Sequence, residues 1–201
     1  LSHFAPAAVI VHLLRTDVQS ARSVIDRHIP RPVGRLFDDA AAALAYMASV
    51  SETSGFSGPT HLMRKALSHL REIERNPNHS DVFVLLSEYI CGSIYTILPE
   101  IFDTLKGGTE ILEQLERSLR GRAFRAGHIP SWVAKTLDFE IIPAAEVRVN
   151  RFLAEAYLKL GRRDVDGFLT RIIELTDPAD EHSQWARLTR LEISSQGNRR
   201  Q

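Results

Sequence analysis

The sequence predicts an all-α fold of eight or nine helices in a helical-repeat-like or irregular bundle arrangement. Three observations carry that expectation. Apolar residues recur at intervals of three and four along almost the whole chain, the period of a helix with one buried face. Proline, glycine and Ser/Gly clusters cut that pattern into helix-length pieces. No alternating apolar–polar run between turn signals marks a strand.

Taken in order, residues 7–28 read as one helix with Val11, Leu14, Val18, Ala21 and Ile25 on its apolar face, ended by Pro30 and Pro32. Residues 38–50 open with Asp38 and Asp39, which suit the positive end of a helix dipole, and continue in alanines. The loop "SETSGFSGP" follows, and Pro59 fits the first turn of a helix over 60–75 that lines up Leu62, Ala66, Leu67, Leu70 and Ile73. After Asn76-Pro77-Asn78, Ser80 or Asp81 caps a long apolar helix reaching to about 105, kinked or divided at Pro99. Gly107-Gly108 is expected to end it, with Thr109 capping a helix over 110–120. Further helices are expected over 131–142, 144–160, 164–176 and 179–194. The domain reading is a single all-helical domain over 1–195, with a loose subdivision at the 51–58 loop and a polar tail at 196–201.

Composition narrows the function classes. Lys+Arg and Asp+Glu number 25 each, and none of the blocks 1–58, 59–106, 107–142 and 143–201 has the basic excess of a nucleic-acid surface, so nucleic acid is not expected as the main partner. The longest apolar-rich stretch, 82–98, is interrupted by Ser87, Glu88 and Gly92, which argues for a buried helix and against a membrane span. Cys91 is the one cysteine, so neither an intrachain disulfide nor a thiolate cluster can form, and an intracellular protein, cytoplasmic or nuclear, is expected. The chain begins at Leu1, which fits a domain of a larger protein.

Catalytic and metal constellations are weighed and set aside. None of the eight histidines follows a glutamate by three residues, the spacing that aims two ligands into a helical bundle. His69 and Glu72 form the reverse pair, read as a surface salt contact. Asp38-Asp39 is followed by alanines and reads as helix N-terminal charge. "SGFSGP" fails the Gly-x-Ser-x-Gly spacing of a nucleophile elbow. Cys91, among Tyr89, Ile90 and Ile94, reads as an inert core thiol. No enzymatic role, metal or cofactor is expected.

Residues 153–178, "LAEAYLKLGRRDVDGFLTRIIELTDP", supply Leu153-Ala154, Tyr157, Gly161 and Pro178 in the order of a helix-turn-helix repeat, and Trp185 to Leu188 begins a similar pattern one residue late. This segment, roughly 150–188, resembles a tetratricopeptide (TPR) unit. Asn150, Asp166, Thr170 and Ile173 depart from the repeat's usual tryptophan, alanine, aromatic and alanine. The resemblance implies a protein–protein interaction module, a scaffold or adaptor with a helical groove, whose partner is another protein or a second copy. A shorter stretch, Gly55-Phe56-Ser57 with Thr60, His61, Leu62 and Arg64, is similar to the second helix-turn-helix of AraC-type regulators, without that family's first one. It implies the alternative, a helical regulator that binds DNA or a small ligand.

The candidate partner-binding residues come from "RSLRGRAFRAGH", 117–128. Arg117 and Arg120 have Glu113 and Glu116 one turn earlier and read as a helix end. Arg122, Arg125 and His128 have no such local partner, and Trp132 lies just beyond them as an aromatic anchor.

Overall fold

The computed structural model describes residues 5–50, 52, 57–76, 81–121 and 142–198. Among these residues the chain forms nine α-helices and no strand, the all-α architecture the apolar period predicts. It divides into two compact units, Leu1–Ser87 and Glu88–Gln201.

The first unit holds α1 (Ala5–Leu14), α2 (Val18–His28), α3 (Leu36–Val50) and α4 (Ser57–Arg75). The single helix expected over 7–28 is two. Thr16 takes a left-handed conformation at φ 59°, and Asp17 accepts a hydrogen bond from the Ser20 amide as the cap of α2. The break turns the expected stripe as well. Ala21 and Ile25 are buried, but Val11 and Leu14 are exposed and Val9 is buried in their place.

The centre of this unit is α3, against which α1, α2 and α4 pack. Ala40, Ala41, Ala42, Ala43 and Ala45 are all buried, so methyl groups line most of its circumference and its neighbours can lie close. The expected stripe of α4 is borne out: Leu62, Ala66, Leu67, Leu70 and Ile73 are all buried.

α5 (Asp81–Ile97) passes from the first unit to the second, which continues with a 3-10 turn at Glu100–Phe102, α6 (Leu105–Gly121), α7 (Ile142–Lys159), α8 (Asp166–Leu175) and α9 (Glu181–Asn198). The long helix divides just before Pro99, as that residue predicts. The glycine pair corrects the expectation that it would end a helix, because Gly107 and Gly108 lie in the first turn of α6. Gly108 is there because α5 crosses over it. A methyl group at that position would stand 2.6 Å from Tyr95 Cβ, 3.0 Å from the Thr96 amide nitrogen and 3.1 Å from the Gly92 carbonyl oxygen. The chain reaches α6 through Asp103, in a left-handed conformation at φ 49°, with Thr104 Oγ1 donating to the Tyr95 carbonyl at 2.9 Å. Thr109 is correspondingly not a cap; it is buried and donates to the Leu105 carbonyl.

The rest of the second unit is built in sequence, α6 on α7, α7 on α8 and α8 on α9. Gly161 turns α7 into α8 at φ 72°, a left-handed position that glycine occupies without strain. Of the helix expected over 131–142, residues 131–141 lie outside the described residues and Ile142 begins α7.

Candidate functional site

Arg122, Arg125, His128 and Trp132, the residues singled out for partner binding, all lie outside the described residues. Of the two neighbouring arginines, Arg120 forms the expected pair with Glu116. Arg117 does not pair with Glu113 as expected, and Glu113 instead accepts the Tyr157 hydroxyl at 2.5 Å.

Tyr157 organises the turn between α7 and α8. Its ring meets Phe168 edge-on at 5.0 Å, and Arg162 stacks over the ring at 3.7 Å while forking onto Asp164. Burial, then the bond to Glu113, push the phenol above its ordinary value, so the ring stays a hydrogen-bond donor.

On α9 one face turns inward. Ser183, Ala186 and Thr189 are buried, and Arg190 reaches α8, where it pairs with Asp166 at 2.7 Å and with Thr170 Oγ1 at 2.5 Å. The outer face carries two large apolar side chains, Leu188 at 61% and Leu191 at 66% exposure. Gln184 and Ser195 extend that stripe at both ends, and Arg187 and Glu192 flank it, all exposed. Neither Arg187 nor Glu192 has an ion-pair partner among the described residues. Trp185 is half-buried beneath Arg151 at 4.9 Å, and Arg151 is held by Glu155 at 3.1 Å and by His182 at 3.0 Å. Asn150, where the TPR pattern has tryptophan, is fully buried and donates to the Glu146 carbonyl at 2.8 Å.

The first unit contains a separate polar network. His69 is not the surface contact with Glu72 expected from its spacing. It is 1% exposed, and its Nδ1–H donates to Asp39 Oδ1 at 2.7 Å. The stripe itself explains this, since Leu62, Ala66, His69 and Ile73 follow one another at four, three and four residues on the buried face of α4. Asp39 in turn is more than N-terminal charge. Fully buried, it also accepts the Val33 amide at 3.1 Å, so one carboxylate joins the loop before α3, α3 itself and α4. Asp38 keeps the simpler role and pairs with Arg35 at 2.5 Å.

About two turns further along α3, the fully buried Tyr46 lies 5.8 Å from the His69 ring and donates its hydroxyl to Asp26 Oδ1 at 2.9 Å. Lys65 reaches the same oxygen at 3.2 Å. Burial raises the Asp26 carboxyl, but Tyr46, Lys65 and Arg22 together outweigh it and hold the group below its ordinary value. Burial and Asp26 push the Tyr46 phenol upward. Asp26 opens onto a cleft of about 830 Å³ lined by Gln19, Arg22, Ser23, Arg27, Ser49 and Glu52. Arg27, which also lines the cleft, has no ion-pair partner among the described residues.

Among the described residues no group of three or more histidine, cysteine, aspartate or glutamate side chains could hold a metal ion. No helix among them is long and apolar enough to cross a membrane. No known protein family, no characterised protein and no solved structure matches this chain.

In the sequence Leu188 fits the Trp-x-x-Leu start of a repeat helix, which hides the outer face of α9. The signal that could have found it is the second stripe. Ser183, Ala186 and Thr189 already supply an inward face at three-residue spacing, which leaves Leu188 and Leu191 with nowhere inside to go.

Proposed function

We propose that the chain is a non-enzymatic protein–protein interaction module, a scaffold or adaptor that works through a TPR-like array of helices. The observation that carries this reading is the outer face of α9, where Leu188 and Leu191 stand exposed side by side at the end of a sequentially packed series, α6 to α9. Arg187, without an ion-pair partner among the described residues, gives the apolar face a basic edge suited to a carboxylate on a partner. Arg122, Arg125, His128 and Trp132 belong to the same proposal as a further basic and aromatic rim. A site of action inside the cell goes with it, in keeping with a sequence that has one cysteine, Cys91, buried and so with no second cysteine for an intrachain disulfide.

Replacing Leu188 and Leu191 together by Asp tests the reading through affinity capture of partners from the native extract. Capture should be lost while the melting temperature stays close to the wild type, because neither side chain is part of the core. Undiminished capture by the double variant, and by Arg122→Glu with Arg125→Glu, overturns it.

A second reading, a regulator that binds a small ligand, draws on the cleft beside Asp26. Its lining mixes the cations of Arg22 and Arg27 with the carboxylates of Asp26 and Glu52, a pattern suited to a small zwitterion. Thermal stabilisation by free amino acids, abolished in Arg27→Ala, supports this reading; no stabilisation counts against it. DNA binding that weakens steeply with salt would direct the regulator reading towards nucleic acid instead.

A further inference from the structure

The outer face of α9 has a register. Gln184, Leu188, Leu191 and Ser195 follow one another at four, three and four residues, the 3.5-residue spacing by which one helix keeps a seam against another. Leu188 and Leu191 then take the two core positions of a heptad, conventionally a and d. Arg187 precedes the first and Glu192 follows the second, five residues apart on opposite flanks of the seam.

That offset is informative. When two such helices run parallel and in register, the residue before the first core position lies across from the residue five further along on the other helix. Arg187 of one copy therefore meets Glu192 of the other, and two-fold symmetry makes the contact twice. In an antiparallel pair the flank residue before a core position faces its own kind, so Arg187 would meet Ser194 and neither charge would be answered. The seam is thus charge-complementary to itself in one orientation only. The inward residues Ser183, Ala186 and Thr189 lie on the opposite side of α9, so the pairing would not disturb its packing on α8.

We propose that this face docks a second copy of the chain, with the two α9 helices parallel, Leu188 and Leu191 stacked across the two-fold axis, and Arg187 paired with Glu192 of the other copy. This rests on the interaction-module reading and names its partner. Only two layers of the seam are apolar, and Gln184 and Ser195 bound them. The dimer is consequently weak and concentration-dependent, an association that a change of local concentration can switch.

The test is sedimentation equilibrium of the full chain across the micromolar range. Wild type should show a monomer–dimer equilibrium. Arg187→Glu and Glu192→Arg should each weaken it by about ten-fold, and the double exchange should restore it. Gln184→Cys under a mild oxidant reports orientation. Parallel helices place this position opposite itself and give a cross-linked dimer, which Leu188→Asp abolishes. A wild type that stays monomeric, a double exchange that fails to rescue, or cross-linking only between Gln184→Cys and Ser195→Cys chains overturns the proposal. The broader reading fails separately. If wild type is monomeric but capture of another protein still depends on Leu188 and Leu191, the module stands and self-association does not.

Discussion

Gly107 and Gly108 are adjacent residues in one turn of α6, yet a single added methyl group should act on them in opposite directions. At Gly107 it would meet nothing within 4 Å. Gly107→Ala therefore gains only the helix preference of alanine, up to about 1 kcal/mol and less near a helix end. At Gly108 the same gain is set against contacts of 2.6 Å to Tyr95 Cβ and 3.0 Å to the Thr96 nitrogen. Both atoms belong to or directly adjoin the backbone of α5, so no side-chain rotation relieves them. Ordinary carbon contact needs ~3.5 Å or more, and α5 and α6 must part by about 1 Å. Overpacking of this kind costs roughly 3 kcal/mol, which leaves Gly108→Ala destabilised by about 2 kcal/mol after the helix gain. Urea denaturation followed by circular dichroism measures both variants. The transition should move up for Gly107→Ala and down for Gly108→Ala, and on heating the second should melt roughly 4–8 °C lower than wild type. If Gly108→Ala proves as stable as Gly107→Ala, the close crossing of α5 and α6 is refuted.

Two further outcomes follow from the first unit. His69→Ala leaves the Asp39 carboxylate buried without its main partner and should cost about 3–5 kcal/mol, whereas adding Asp39→Ala should cost much less than the sum of the two single changes; additive denaturation energies would rule out the pairing. Asp26, held below its ordinary value of 3.8, contributes stability that is present above that value and lost as pH falls through the lower folded one. Tyr46→Phe should therefore flatten the acid limb of the stability–pH curve below pH 4, and an unchanged limb would show that the Tyr46 bond does not tune Asp26.

The helices were legible in the sequence wherever one apolar stripe faced one neighbour, as in α4, where five residues at helical spacing are all buried. Legibility failed where a residue's role depends on something distant in the chain. Val11 and Leu14 continue the period of α2, and only the left-handed turn at Thr16 rotates them off it. Gly107-Gly108 has the composition of a helix stop, and only the approach of α5 makes it part of a helix. His69 fits the stripe of α4, but its partner Asp39 stands thirty residues earlier, and no local rule pairs them. Of the candidate site, the basic residues were visible as charge, whereas the face of α9 emerges only once the residues turned inward are known.

The alanines of α3 carry a consequence for how this protein can vary. A helix that shows its neighbours mostly methyl groups acts as a spacer of fixed width, and the thickness of the first unit is set by it. Larger side chains at Ala42, Ala43 or Ala45 would have to push whole helices apart, and glycine there would leave them with nothing to rest on. Variation in this unit is therefore channelled outward, to positions such as Leu44, Ile10 and Val33 that already face away from the centre. A lineage of such chains could acquire new surfaces freely while its interior remained nearly unchanged in letter and in dimension.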